Sequence, residues 1–357
     1  MDVVIGLSGG VDSAVAAWIL REQGHRVRAL FMKNWEEDDR AGHCAAAEDL
    51  RYAEQVCARL DLELERVNFS DQYWERVFAH FLAEYAAGRT PNPDVLCNSE
   101  VKFKAFLEHA LAGGAEAVAT GHYARRAATA QGWRLRLSAD PDKDQTYFLH
   151  RLEQHQLARV VFPLGALTKA QVRGIARRLG LPNAARKDST GICFIGERRF
   201  DTFLERFLPA QPGEIVDLRG RVLGHHRGLV FHTVGQRKGL GLGGRRGGEQ
   251  APWYVAAKDC ARNRLVVVQG HDHPALFRDR LQATDCRWIA GRPPATRFRA
   301  LARIRHRQPL QDCEVEVLHQ AEIRLRFDRP QRAVAPGQYV VLYNGHDCLG
   351  GGVIATD

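Results

Sequence analysis

The sequence predicts an α/β N-terminal domain built on a parallel sheet, followed by a small central domain and a C-terminal β-barrel. Three observations carry that prediction. Strand-like apolar runs alternate with helical patterns through the first two hundred residues, which implies a mostly parallel sheet with helices on both faces. After about residue 210 the texture changes to short strands broken by Gly, Pro and Asn-Arg turns; without long helices these indicate a small barrel or sandwich. The 357 residues, 45% of them hydrophobic, suffice for two or three domains with real cores. The expected boundaries are 1–200, 201–275 and 276–357.

In chain order, strands are expected at Val3–Leu7, Val27–Phe31, Leu62–Phe69 and Ala117–Gly121. Helices are expected after Ser13 and over Ala45–Leu60, Asp71–Ala87 and Val101–Ala112, from the recurrence of apolar residues every three to four positions. Ala124–Ala139 reads as a hairpin turning at Gln131-Gly132. Thr168 and Gln171 form a capping box that starts a helix, which Gly180 and Pro182 end. Ala256–Val268 is a second hairpin, and strands follow at Arg297–Arg305, Cys313–Leu318, Glu322–Phe327 and Tyr339–Tyr343. The alternation in Ile323–Phe327 marks one face in and one face out.

Composition excludes several classes. No apolar run approaches the ~20 residues of a membrane span, and Asp2–Leu7 lacks the basic and apolar regions of a secretory signal, so the cytosol is the expected compartment and no membrane partner is expected. The eight cysteines (44, 57, 97, 193, 260, 286, 313 and 348) form no C-x-x-C pair, against a zinc knuckle or disulfide scaffold. Net charge is +9 but unevenly spread. Residues 1–100 carry 10 basic and 18 acidic groups, residues 101–200 carry 17 and 8, and the remainder 24 and 16. An Arg-biased composition does not explain a change of sign along one chain; a basic remainder beside an acidic start suggests a polyanionic partner.

The segment Ser8–Ser13 (SGGVDS) directly follows the first strand and opens the first helix. Gly9 and Gly10 allow a sharp turn and close approach to an anion, Ser8 and Ser13 add hydroxyls, and the helix N-terminus offers unpaired N–H groups to phosphate. Asp12 would repel phosphate unless a cation lies between them, which implies Mg²⁺. The Walker pattern is absent. Gly239, Gly241 and Gly244 match G-x-G-x-x-G but lack the strand and helix of a dinucleotide site, so a basic loop near phosphates is expected there. His225-His226 and His271–His273 lie in turn-like segments without a supporting Cys/His set, and read as solvated loop residues.

Cys97 and Cys193 lie in polar, turn-prone segments, with Lys102 and Lys104, and Arg186 and Lys187, nearby to favour a thiolate. Reactive cysteines beside an ATP-activating loop suggest sulfur transfer; buried small hydrophobes are the bland alternative. The strand–SGGVDS–helix unit resembles the PP-loop of the ATP pyrophosphatases, giving the expectation of a Rossmann-like PP-loop fold. Taken in order, Gly6–Ser13, Phe31–Trp35, Thr90–Asp94 with Cys97, Thr120–Tyr123, Lys143–Tyr147, Ser189–Cys193 and Val234–Gly239 resemble, end to end, the bacterial tRNA-specific 2-thiouridylases, which thiolate C2 of the wobble uridine.

The resemblance implies ATP held by Gly6, Leu7, Ser8, Gly9, Gly10, Val11, Asp12, Ser13, Met32 and Gly121, with Mg²⁺ through Asp12. It implies that Asn92, Pro93 and Asp94 contact the target base, and that His122, Lys143, Asp144, Gln145, Arg305, His306 and Gln338 contact the tRNA. Family members often have Arg-Tyr where this chain has Arg305-His306, which bears on stacking at 306. Cys193 would carry a persulfide delivered by a sulfur-relay protein or cysteine desulfurase, Cys97 would be its catalytic partner, and Asp94 is a candidate general acid/base. AMP transfer to the uracil C2 oxygen creates the leaving group; either the persulfide attacks C2, or Cys97 releases hydrosulfide and leaves a Cys97–Cys193 disulfide. The competing readings are a PP-loop ligase for a small molecule, which needs neither cysteine, and a non-catalytic RNA-binding protein.

Overall fold

A computed structural model describes residues 1–36, 45–188, 200–243, 251–319 and 321–356. The N-terminal part runs β1 (Asp2–Gly6), α1 (Val11–Glu22), β2 (Arg26–Lys33), α2 (Ala45–Leu60), β3 (Leu64–Asn68), α3 (residues 70–86), α4 (residues 93–112), β4 (Ala117–Ala119), the hairpin β5 (Arg125–Thr129) and β6 (Gly132–Arg136), α5 (Thr146–Leu149), α6 (Gln154–Arg159), β7 (Val160–Val161) and α7 (Lys169–Arg178). Five of these strands form a parallel sheet in the order β3-β2-β1-β4-β7. The period of two along β1 sends Val3 and Ile5 into a layer with Ala14, Leu20 and Val56, and Val4 into the opposite layer with Phe103 and Phe106. Both faces are therefore buried, as parallel sheets require.

After α8 (Phe200–Glu205), strands β8 (Gly213–Val216), β9 (Val222–His226), β10 (Trp253–Asp259) and β11 (Arg264–Gln269) make a small sheet ordered β10-β11-β8-β9 around Ile215, Val255, Leu265 and Val267. Then β12 (Phe277–Trp288), β13 (Arg297–Arg303), β14 (Gln311–His319), β15 (Glu322–Arg332), β16 (Tyr339–Asn344) and β17 (Asp347–Ile354) close into a six-stranded antiparallel barrel, because β12 pairs with both β15 and β17. Closure leaves no open edge. The expected alternation holds: Ile323, Leu325 and Phe327 are buried inside, while Arg324 and Arg326 face out.

Besides His225 and His226, which end strand β9 rather than lying in a solvated loop, with His226 only 4% exposed, two features depart from the sequence expectation. The helix expected at Val101–Ala112 begins at Pro93 and contains a π-helical stretch, Cys97–Ala105. Cys97 therefore does not lie in a turn-prone polar segment; it is a helical residue 2% exposed in the apolar core. The Pro93 ring presets the first helical φ, which is why the turn-like Asn-Pro-Asp residues start a helix. Second, the β5–β6 hairpin does not stay with its own domain: β6 pairs with β17, Arg136 opposite Asp347 and Leu135 opposite Cys348. Asp347 accepts from Arg134 at 2.6 Å and Arg136 at 2.9 Å.

The same seam is held by buried polar contacts. Tyr147 Oη donates to the Tyr339 carbonyl at 2.9 Å, and Arg303 donates to Asp144 at 3.1 Å, both groups buried. His150 is wholly buried against Tyr339, with ring centroids 5.0 Å apart, and its Nδ1 donates to the Tyr147 carbonyl at 2.7 Å. Burial pushes the His150 pKa down to about 3 and that of His232, in the small middle sheet region, down to about 4. Between these values and the ordinary 6.5, the unfolded chain binds protons that the native state refuses, so stability falls on acidification. Each histidine contributes up to about 1.4 kcal/mol per pH unit in that window. Urea unfolding at pH 5.5 should show a lower midpoint than at pH 7.5; an unchanged midpoint would mean these rings are not held neutral.

Candidate active site

In the order β3-β2-β1-β4-β7 the chain leaves β1 toward one side and returns on the other, so a crevice opens between the carboxyl ends of β1 and β4. Residues 7–10 after β1 and residues 120–123 after β4 line this switch point. Gly9 has φ +72°, and a Cβ there would lie 2.3 Å from the Asp49 carbonyl oxygen. Gly121 packs so tightly on α1 that a Cβ would lie 2.7 Å from the Ser13 nitrogen. Gly6 likewise abuts Met32, whose Cε would be 3.0 Å from an added Cβ. The glycines, Met32 and Gly121 are thus brought to one place. Leu7 and Val11 are buried, so they can offer only main chain, and Ser13 Oγ is committed to the loop, donating to the Gly10 carbonyl at 3.1 Å. Gly10, which precedes α1, makes no side-chain cap, leaving that helix end to other acceptors.

Asp12 is not an isolated carboxylate. Lys169 Nζ lies 2.8 Å from both of its oxygens, and Tyr123 Oη donates to it at 2.8 Å. Lys169 also reaches Asp188 at 2.7 Å, where Lys143 (2.7 Å) and Arg173 (2.8 Å) converge. Burial alone would raise the Asp188 pKa, but Lys143 and Lys169 pull it down to about 2. Burial and the Asp12 charge keep the Tyr123 hydroxyl protonated. The sequence argument for a divalent cation at Asp12 therefore meets a resident cation, Lys169. Two further residues support the loop: Asn183, fully buried, donates to the Gly9 carbonyl at 2.9 Å, and Arg186 pairs with Asp49 at 2.6 Å.

The helix α4 forms the other wall. Asn92 precedes it without capping its N–H groups, Pro93 opens its first turn, and Asp94 and Cys97 follow one turn apart. Burial raises the Asp94 pKa, opposed by Lys102. Cys97 and Lys102 lie on the same π-helical stretch, whose hydrogen bonds run from residue i to i+5. His122, next to Gly121, bonds Thr120 Oγ1 at 2.8 Å, and burial, then the Lys102 charge, hold its pKa well below 6.5. Gly121 packs on α1, and the His122 ring packs on Phe103 of α4 with centroids 5.7 Å apart, so the residues after β4 adjoin both helices. Cys193 lies outside the described residues, as does Gly244. Of the other cysteines, Cys57, Cys286, Cys313 and Cys348 are buried with raised pKa values, burial being the main cause.

Residues 143–145 are anchored inward. Lys143 holds Asp188, and Gln145 exchanges bonds with the Tyr123 main chain, both at 2.9 Å. The Asp144 carboxylate accepts from Ser138 N, Thr146 Oγ1 and Arg303, and its carbonyl accepts from His306. The His306 ring packs 4.4 Å from Phe148. Gln338 donates to the Thr90 carbonyl at 2.8 Å, fixing the segment before Asn92, and Arg305 bonds the Val234 and Ala333 carbonyls. Sequence reasoning missed Lys169, Asp188, Tyr123 and Asn183, which the fold brings to the loop from residues more than one hundred positions away. Only the Thr168 capping box hinted at where Lys169 would begin a helix. Gly9→Ala would force a side chain into both a left-handed φ and the Asp49 carbonyl, at about 1–2 kcal/mol for the φ alone. ATP affinity, read by equilibrium dialysis, should fall at least ten-fold, while Gly174→Ala, on α7 where an added Cβ meets nothing within 4 Å, should bind as wild type.

Comparison with known proteins accords with this arrangement. Residues 1–197 match the family described as tRNA methyl transferase HUP domain, residues 201–269 the tRNA methyl transferase PRC-barrel domain, and residues 278–354 the aminomethyltransferase beta-barrel domain. The chain is similar to the tRNA-specific 2-thiouridylase of Verminephrobacter eiseniae, 58% identical over 362 residues, covering 99% of this chain and 98% of the relative. It is similar to that of Thiobacillus denitrificans at 57% identity over 353 residues, covering 99% of each. Among solved structures, NMN synthetase from Francisella tularensis is similar over 53% of this chain and 66% of its own, with 19% identity and TM-score 0.33. With its phosphate loop, its cysteine-bearing helix and its barrel all inside a match that spans nearly the entire length, the chain belongs to the tRNA-specific 2-thiouridylase family.

Proposed function

We propose that this enzyme uses ATP to thiolate C2 of the wobble uridine in tRNA, by adenylating the C2 oxygen and transferring sulfur from a cysteine persulfide. The observation that carries this reading is the packing of residues 121 and 122 between α1, which opens at the SGGVDS loop, and α4, which bears Asp94 and Cys97. The matched domain descriptions speak of methyl transfer, whereas the full-length relatives carry the thiouridylase name. A phosphate loop beside a buried cysteine suits adenylation and sulfur transfer. In this reading residues 1–200 do the chemistry, 201–275 contact tRNA, and 276–357 form the barrel.

ATP would lie on residues 6–13, Met32 and Gly121, its phosphates on the N-terminus of α1. Loop N–H groups, Lys169 and Arg186 would stabilise the departing pyrophosphate, since fixed donors aimed at developing charge need no reorganisation. Mg²⁺ would be held by Asp12 together with the phosphates, an arrangement suited to a cation that keeps its waters and takes one or two carboxylates; it would supply charge neutralisation there. Asp12 fits because it is the loop's only carboxylate, although Lys169 must then share it.

The uridine has to leave the anticodon stack to reach this crevice. Asn92 would read the uracil edge with its uncommitted amide, Pro93 would pack against the base, and Asp94, whose burial favours the protonated form, would donate to it. His122, Lys143, Gln145, Arg305 and His306 would contact the tRNA, with Asp144 and Gln338 holding those contacts in place from behind. Sulfur would arrive from a sulfur-relay protein or cysteine desulfurase as a persulfide on Cys193. In one route the terminal sulfur attacks C2, AMP leaves with the C2 oxygen, and the Cys97 thiolate then attacks Cys193 Sγ, breaking the S–S bond so that the thiolated base departs. In the other, Cys97 attacks Cys193 Sγ of the persulfide first and frees hydrosulfide, which attacks C2 as AMP leaves. Formation of the Cys97–Cys193 disulfide requires Cα atoms within ~7 Å, and an external thiol must then reduce it. The expected compartment is the cytosol; among the described residues no helix is long and apolar enough to cross a membrane.

The test is ATP-dependent incorporation of labelled sulfur into tRNA by wild type, Cys97→Ser and Cys193→Ser, with a cysteine desulfurase and relay protein as donor. Both variants should lose at least a hundred-fold while still binding ATP. Full thiolation by Cys193→Ser would overturn the persulfide assignment.

A further inference from the structure

On the outer wall of the barrel, arginines are matched by carboxylates. Arg297 and Arg324 pair with Glu316, Arg299 with Asp328, and Arg326 with Glu314. The seam between the middle sheet and the barrel is built differently. There Val234 and Gly235 meet Arg305, Arg332 and Ala333. Arg305 Nη2 donates to the Val234 carbonyl at 3.0 Å and the Ala333 carbonyl at 2.6 Å. Arg332 Nε donates to the His271 carbonyl at 3.1 Å, and its guanidinium covers the Tyr254 ring at 4.8 Å. A Cβ on Gly235 would lie 3.5 Å from Arg305 Nη2 and 3.8 Å from Arg332 Nη1, so the two guanidinium groups are neighbours.

Three facts make this pair unusual. Among the described residues, no carboxylate lies within ion-pair range of either arginine. Arg332 Nη2 is buried and, among the described residues, has no acceptor, and a donor left so costs free energy. Burial, then the charge of Arg332, depress the Arg305 pKa, as expected of two like charges without a counter-ion. Arg237 and Lys238, exposed on the turn after Gly235, and Arg307, exposed after Arg305, add positive charge, and none has a carboxylate partner among the described residues.

The seam also has a fixed relation to the active site. Thr233, two residues before Gly235, meets Thr90 hydroxyl to hydroxyl at 3.3 Å, and Thr90 lies two residues before Asn92. Gly235, at φ +84°, is pressed so closely on Ala333 that a Cβ would sit 2.4 Å from the alanine methyl, which fixes the turn carrying Arg237 and Lys238 on the barrel. We propose that Arg332, assisted by Arg237 and Lys238, joins Arg305, already read as a tRNA contact, in clamping a backbone phosphate of the tRNA a few nucleotides from the target uridine. This rests on the tRNA reading above and extends it to a defined subsite with Arg332 at its centre. Planar guanidinium forks match phosphate oxygens two at a time, and such contacts fix register without reading sequence.

The experiment measures binding of an anticodon stem-loop RNA by fluorescence anisotropy across a salt series, for wild type, Arg332→Ala and Arg237→Ala, with melting curves for each. Arg332→Ala should weaken binding several-fold, equally for the cognate stem-loop and for one with a changed loop sequence. The slope of log K against log salt should shrink by about 1, as when the protein neutralises one phosphate fewer. Arg237→Ala, on an exposed turn, should show the same weakening in smaller measure. Unchanged affinity and slope in a folded Arg332→Ala overturn the clamp; if that variant does not fold, unchanged binding by Arg237→Ala does so. Wild type that fails to bind RNA overturns the tRNA reading and the clamp together, whereas wild type that binds beside two unaffected variants overturns the clamp alone.

Discussion

One ammonium group, Nζ of Lys169, joins Asp12 to Asp188, and the crevice depends on it. A loop meant for phosphates carries a carboxylate, and two unit charges 4 Å apart interact by about 4 kcal/mol at an effective dielectric near 20. Lys169 cancels that charge in place and draws Lys143, Arg173 and Tyr123 into the same network. Its position is costly for its own helix. A cation in the first turn opposes the macrodipole by roughly 0.3–1 kcal/mol, which the two carboxylates and the Thr168–Gln171 capping box offset. The acidic first hundred residues thus meet basic groups that the chain supplies later.

The second constraint is the seam between the N-terminal part and the barrel. The β5–β6 hairpin extends the barrel sheet, Asp144 pairs with Arg303 inside it, and Gln338 grips the segment before Asn92. A buried ion pair is weak evidence of stability but a strong one of register, since removing either partner strands a charge. These contacts tie the barrel to the segment before Asn92 and to residues 143–145. They hold Asp144 and Gln338 inward, against Arg303 and the Thr90 carbonyl.

Much of this was legible in the sequence where the physics is local. The SGGVDS strand-to-helix turn, the capping box and the period-two barrel strand Ile323–Phe327 each declare themselves within a dozen residues and take their expected form, and the hairpin turns one residue earlier than expected, at Ala130-Gln131. Cys97 was misplaced because Asn-Pro-Asp reads as a turn, whereas Pro93 at the first helical position begins a helix that buries the thiol. The Asp12–Lys169 and Asp144–Arg303 pairs span 157 and 159 positions and leave no local pattern. Asp144 in particular read as a surface contact, because nothing nearby in sequence supplies the arginine that makes its burial tolerable.

Lys169, by neutralising Asp12, would make the loop a phosphate site. Calorimetric titration of ATP into wild type and Lys169→Met, in the presence of Mg²⁺ and with melting curves for both, reads that role. A variant that remains folded should lose at least ten-fold in ATP affinity; affinity equal to wild type in folded Lys169→Met would overturn it.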